Sequence, residues 1–338
     1  MAVEITPSRA IAPRAPAGGR ARWAVLLVLA TAAAIVHFVG LGHVAWLQNL
    51  LIVFASLLME AMPFILLGAA VSAAIEVLVP ASAFERLGRL PKALQLPAAA
   101  AAGVAFPVCE CGSVPVARRL ASKGLSPAAA VTFMLAAPIV NPVVVASTFV
   151  AYRGRDTLWV MVIGRLVLGF IVAMVVGWVI GAVRGEELLK PRPGYLEVRE
   201  TGEDEPRRTR FVAHFTGDVI FMARFLIVGA AIAAAVQTFV PQSIVNGVAR
   251  LPVLSLMAMM ARAFLMSLCS ESDAFVAASF VSFGPAAQLA FLVSGPMIDM
   301  KLAALYVGTY RKGFLRAAVL AILATTLVLT LWVQVIFG

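Results

Sequence analysis

Two thiols and a carboxylate stand together in Phe106-Pro107-Val108-Cys109-Glu110-Cys111-Gly112-Ser113-Val114-Pro115, inside an otherwise apolar region. The third cysteine of the chain, Cys269, lies in Leu268-Cys269-Ser270-Glu271-Ser272-Asp273, which reads as a second copy of the first motif. Thiolates select soft ions such as Cu(I), and the same softness extends to trivalent arsenic. In an extended or broken backbone, positions two apart face the same way, so Cys109 and Cys111 can turn both sulfurs to one side. If Cys269 reaches the same depth, three sulfurs surround one soft centre. Cys109, Cys111 and Cys269 are therefore the candidate metal-ligating and substrate-binding residues. A single buried cysteine is more often just a small apolar side chain, but Cys109 and Cys269 occupy matched positions in two motifs. Glu110, Glu271 and Asp273 stand beside them as candidate proton carriers, because ionised acids are costly inside a membrane and usually mark ion or proton routes.

The surroundings are those of a membrane. Of 338 residues, 62% are hydrophobic and 13% charged, against about 25% charged in soluble domains, and the mean hydropathy is +0.97. Apolar runs near or above the roughly 20 residues needed to cross a bilayer recur along the chain. The expected fold is all-α and polytopic. A net charge of +10 does not indicate nucleic-acid binding, because the basic residues flank the apolar runs instead of forming one patch. The partners it implies are membrane lipid and a small-molecule or metalloid substrate, and self-association into a homo-oligomer is compatible with the pattern. Three cysteines in C-x-C plus one make no disulfide framework.

Residues 1–22 carry Arg9, Arg14, Arg20 and Arg22 among Pro, Ala and Gly, too little apolar surface to fold, and read as a disordered cytoplasmic tail. A first transmembrane anchor follows over 23–46, a first permease repeat over 47–183, a polar linker over 184–210 and a second repeat over 211–338. Leu94 to Cys109 is too short to cross, reaching about 24 Å at the helical rise, and it runs into Pro107, Gly112 and Pro115, where a helix must break. Arg118, Arg119 and Lys123 then return the chain to an interface. A second interruption falls at Ala137-Pro138-Ile139-Val140-Asn141-Pro142.

The halves are in register. Gly68 and Gly229, Pro80 and Pro241, and Pro91 and Pro252 differ by 161 positions; Cys109 and Cys269 by 160; Pro127 and Pro285, Pro138 and Pro296, and Asn141 and Asp299 by 158. Ordered offsets with small drift indicate an internal duplication. Asn141 and Asp299, beside matched prolines, join the substrate-binding candidates. If the Cys109 segment is a re-entrant hairpin, the tail and four loops on one side hold 20 of the 27 Lys and Arg, as the positive-inside rule requires of the cytoplasmic side. Each half then makes three crossings and one hairpin, so the second is inverted. With the anchor this gives about seven full crossings plus two broken hairpins in an inverted repeat, an arrangement that places transport sites near the midplane.

No P-loop, dinucleotide fingerprint or H-E-x-x-H occurs, and His37, His43 and His214 form no metal motif. No cofactor and no enzymatic activity are expected. Phe106 to Pro115 together with Ala137 to Pro142 resembles the predicted bacterial permease family containing YraQ and ArsP, over roughly Leu51 to Tyr310. That resemblance implies an inner-membrane permease, which the charge placement orients with its N-terminus in the cytoplasm. Members similar to ArsP imply efflux of trivalent organoarsenicals, with Cys109, Cys111 and Cys269 as ligands. Glu271 stands where the repeat places the partner of Cys111, so the second motif lacks a fourth thiol. Two other readings stay open: a Cu(I)-like soft-metal exporter, and a membrane thiol oxidoreductase cycling Cys109 and Cys111 through a disulfide.

Overall fold

A computed structural model describes residues 44–79, 91–106, 108–184, 189, 206–239, 252–311 and 313–337. The expected tail, nearly all of the expected anchor and most of the expected linker lie outside the described residues.

Each apolar run becomes helix, and the breaks fall where proline, glycine and capping side chains put them. In chain order the helices are α1 (Ala45–Leu78), α2 (Lys92–Ala102), α3 (Glu110–Ser122), α4 (Pro127–Val140), α5 (Pro142–Ala151), α6 (Leu158–Arg184), α7 (Arg207–Phe239), α8 (Pro252–Met266), α9 (Asp273–Ser279), α10 (Pro285–Ser294), α11 (Met300–Thr309) and α12 (Phe314–Phe337). No strand occurs among the described residues; an isolated bridge pairs Leu189 with Tyr310. A long helix, a short helix, a break, a second short helix, a broken pair and a long helix follow one another from α1 to α6, and again from α7 to α12.

The breaks have local causes. After α2 the chain tightens into a 3-10 turn over Gly103–Ala105; Phe106 and Cys109 are extended, and Cys109, ψ 178°, is the N-cap of α3. Ser126 accepts from the Ala129 N–H to start α4, with Pro127 at the first helical position, where a missing N–H costs nothing. Asn141 ends α4 and starts α5, its Oδ1 accepting from Val143 N–H at 2.9 Å. In the second half Asp299 does the same for α11, accepting from Leu302 N–H at 2.6 Å. Ser267 ends α8 in the left-handed region, φ 49°, and its hydroxyl receives the Met300 N–H.

Among the described residues, five helices are long and apolar enough to cross a membrane: Ala45–Leu78, Pro127–Ala151 taken as one span, Leu158–Ala182, Arg207–Phe239 and Phe314–Ile336. The α10–α11 pair, split at residues 295–299, corresponds to a further expected crossing. Apolar side chains such as Ile52, Met59, Trp178, Leu320 and Val335 stay exposed on this bundle, as lipid-facing positions do.

Two helices are buried along nearly their whole length, α4 and α10, and each gathers neighbours of its own half. Helices α2, α3 and α6 pack on α4, while α8, α9 and α12 pack on α10. Helix α6 also meets α10 and α12, so the halves share one interior. Helices α1 and α3 approach backbone to backbone: Gly68 lies so near Gly112 that a Cβ at 68 would strike the Gly112 backbone. Gly68→Ala is expected to force the helices apart and to lower stability by about 1–3 kcal/mol, the usual cost of overpacking. Thermal unfolding in detergent checks this, and an unchanged midpoint would show that the two backbones can separate freely.

Candidate functional site

Three chain breaks converge in the interior. Glu110 opens α3, the turn 267–272 joins α8 to α9, and Asp299 opens α11. Glu110 is 1% exposed, yet it is not isolated. Its Oε2 accepts from the Ser270 hydroxyl at 3.1 Å and, more weakly, from the Ser270 N–H at 3.4 Å. The same hydroxyl lies 3.3 Å from Glu271 Oε2, so one serine proton is shared between two carboxylates. On the other side the buried Lys301 places Nζ 3.8 Å from Glu110 Oε1, 3.8 Å from Asp299 Oδ2 and 3.9 Å from Cys269 Sγ. An ammonium without such partners would be prohibitively costly inside a membrane.

A second buried pair stands next to the first. Arg165 of α6 donates to Asp273 Oδ2 at 2.8 Å, to the Ser270 carbonyl at 3.0 Å and to Thr148 Oγ1 at 2.8 Å. It thereby ties α5, α6 and the start of α9 around the same turn. The Ser272 hydroxyl donates to Glu60 Oε1 of α1 at 2.6 Å, so nearly every residue of the second motif is held by another element.

All three cysteines are buried and reduced. Cys109 is the N-cap of α3 and Cys111 lies in its first turn, both buried. Cys269 instead faces Lys301. Among the described residues, the tight grouping of metal-ligating atoms is Glu110, Cys269 and Glu271, all within 4.8 Å of one another. Cys109 and Cys111 are outside it. Asn141 and Asp299 are both buried and both cap the second member of a broken pair, each spending one oxygen on a backbone N–H. Asp299 Oδ2 remains turned toward Lys301.

The sequence marks Arg165 and Lys301, like Arg224 and Arg262, as basic residues in or near apolar runs and so as partners for the acids, without pairing them; Ser270 it does not mark. Lys301 stands two positions after Asp299 inside an apolar run, a signal that marks a buried charge but not what it meets.

A separate ionic cluster joins α1, α3 and α7. Arg119 bridges Glu76 at 3.4 Å and Asp218 at 3.1 Å, and Ser72 donates to the same Asp218 oxygen at 2.7 Å. Lys123 donates to the carbonyls of Ile75, Glu76 and Val79 at 2.8–3.1 Å, closing the end of α1. The basic triplet of α3 was expected at an interface; Arg119 is buried there by its two acids. The large cavity of about 880 Å³ lies elsewhere, among Val104, Val140, Phe149, Trp159 and Phe170. Its wall offers apolar side chains, which suits lipid tails and not the polar centre.

Long apolar helices whose buried ionisable groups pair with one another in the interior, several of them at helix breaks, define a polytopic membrane protein with a charged core. The chain belongs to the ArsP_1 family, described as "Predicted permease", whose pattern matches residues 46–337. It is 38% identical over 265 residues to "UPF0718 protein YcgR" of Bacillus subtilis, covering 78% of this chain and 89% of that protein. It is 33% identical over 268 residues to a Streptococcus mutans protein named "Putative two-component membrane permease complex subunit", covering 78% and 88%. No solved structure matches the chain significantly. Membership of the family supports a role in membrane transport.

Proposed function

We propose that the chain is an inner-membrane permease, N-terminus cytoplasmic, that carries a soft, thiophilic solute outward through the place where α3, α9 and α11 begin. The observation that carries this reading is the meeting of a thiol, four carboxylates, a lysine and an arginine around helix breaks inside an apolar bundle. Broken helices whose polar ends meet are how secondary transporters build substrate sites. The doubled order of elements supports an inverted repeat whose halves rock about that centre. A trivalent arsenical or a soft metal ion is the solute class the sulfurs favour, with Cys109, Cys111 and Cys269 along its path and Asn141 and Asp299 fixing the helix ends beside it. Glu110 and Glu271 take up and return protons as the solute passes; Asp273 joins them when Arg165 releases it. The name of the Streptococcus relative supports a second component in a membrane permease complex.

A second reading, a membrane thiol oxidoreductase, draws on the two thiols standing two positions apart, at Cys109 and Cys111. Both thiols are 1–3% exposed, which denies a partner protein direct access and leaves the permease preferred.

Uptake of methylarsenite, arsenite, Cu(I) and Cd²⁺ into everted vesicles tests the proposal. At least one solute is expected to accumulate, and Cys269→Ser is expected to cut its rate at least about tenfold, since serine keeps the size of the side chain but is not a soft ligand. Absence of uptake for every solute, with the chain folded in the membrane, would sink the permease reading.

A further inference from the structure

Glu110 is half satisfied. Its Oε2 takes both Ser270 donors, whereas Oε1, equally buried, accepts no hydrogen bond. Asp299 Oδ2 is in the same state. Both oxygens, and the sulfur of Cys269, face one ammonium, that of Lys301, at 3.8–3.9 Å. Those separations are too long for good hydrogen bonds between nitrogen and oxygen, so the ammonium lies loosely in a space whose walls are acceptors. Such a space suits a cation, and Lys301 already provides one on a tether.

We propose, resting on the permease reading, that the transported solute is a divalent cation of intermediate softness, of the class of Zn²⁺, Co²⁺ and Cd²⁺. It binds between Cys269 Sγ and one oxygen each of Glu110 and Glu271, and Lys301 is the internal cation that stands in for it. The three ligand atoms lie within 4.8 Å of one another. An ion with tetrahedral bonds of about 2.0–2.3 Å holds its ligand atoms roughly 3.3–3.8 Å apart, so the trio has only to close by about 1 Å. One sulfur and two carboxylate oxygens suit this class; Mg²⁺ and Ca²⁺ prefer oxygen alone, and Cu(I) prefers several sulfurs. A neutral arsenical gains little from two carboxylates. A positive charge fixed beside the site weakens binding, which a permease needs if its guest is to leave.

The test is Co²⁺ and Cd²⁺ binding to the full chain in nanodiscs, read by the sulfur-to-metal absorption band and by competition between the two ions. One-sulfur absorption is expected in the wild type, and its loss in Cys269→Ser. Glu110→Gln and Glu271→Gln are each expected to weaken binding at least about tenfold, the low end of what even outer-shell changes cost. Lys301→Met is expected to bind more tightly and to release ions into vesicles more slowly, a gain that misfolding cannot imitate. Absence of divalent binding in monodisperse wild-type protein, or an absorption band that follows Cys109 and Cys111, would overturn the proposal. Methylarsenite uptake that persisted in that event would leave the permease reading standing. Tight divalent binding without uptake of any solute would instead leave the site intact and remove the transport role.

Discussion

Arg165→Met is expected to be among the most damaging single changes in the chain, costing about 3–5 kcal/mol, because it strands a buried carboxylate. The Arg165 and Asp273 side chains are 2% and 3% exposed, and their ion pair is 2.8 Å long. The arginine also serves the Ser270 carbonyl and Thr148, so its loss unpairs acceptors on α5 and on the turn before α9. Chain that does fold is expected to fail in transport as well, since Ser270 is what positions Glu110. The double change Arg165→Met with Asp273→Leu removes both charges and is expected to recover much of the stability, as replaced buried pairs often do, without recovering transport. Unfolding midpoints in detergent, beside vesicle uptake, separate the two effects. A double variant no more stable than the single one would mean that Arg165 acts through its other partners.

Arg119→Met carries the second large effect. Arg119 pairs with both Glu76 and Asp218, at 3.4 and 3.1 Å, and Lys123 stands farther from Glu76, at 3.8 Å. A loss of up to about 3 kcal/mol is expected, toward the low end for a buried pair because Glu76 is 23% exposed. Arg119→Lys should fall between, since an ammonium presents a point charge where the guanidinium reaches two carboxylates at once. Hydrogen exchange over residues 72–79 reports the effect directly: those amides should exchange faster in Arg119→Met while the buried helix α4 keeps its protection. Equal acceleration in both regions would indicate global unfolding, and no acceleration would show that Lys123 holds the end of α1 unaided.

The helix breaks were legible because their causes are local. Pro127, Pro142 and Pro285 start helices where the sequence places them, and Asn141 and Asp299, matched across the repeat, turn out to do one and the same capping task. The Cys109 and Cys269 motifs do meet, as the duplication led one to expect. What they meet through was not legible. Glu110 reaches Ser270 across 160 positions, and Arg165 reaches Asp273 across 108, pairings fixed by how helices pack and not by any spacing along the chain. The three-sulfur shell was expected by analogy with an extended backbone. Helix α3 begins at Glu110, so Cys111 is already helical, and the closest ligand grouping takes Glu110 and Glu271 alongside Cys269.

The close contact of Gly68 with Gly112 acquires a kinematic meaning beside the grip of Lys123 on the last carbonyls of α1. Two rods joined at one point can pivot; joined at two, they move as a single lever. Helices α1 and α3 are fastened at both places, and α7 lies against α11 closely enough that a Cβ at Gly229 would come within 2.8 Å of Lys301 Cα. Glu110 therefore rides on that lever, while Lys301 sits on α11 against α7, which Asp218 pins to the same lever through Arg119 and Ser72. Any sliding of α11 past α3 must then change the distance between Lys301 and Glu110.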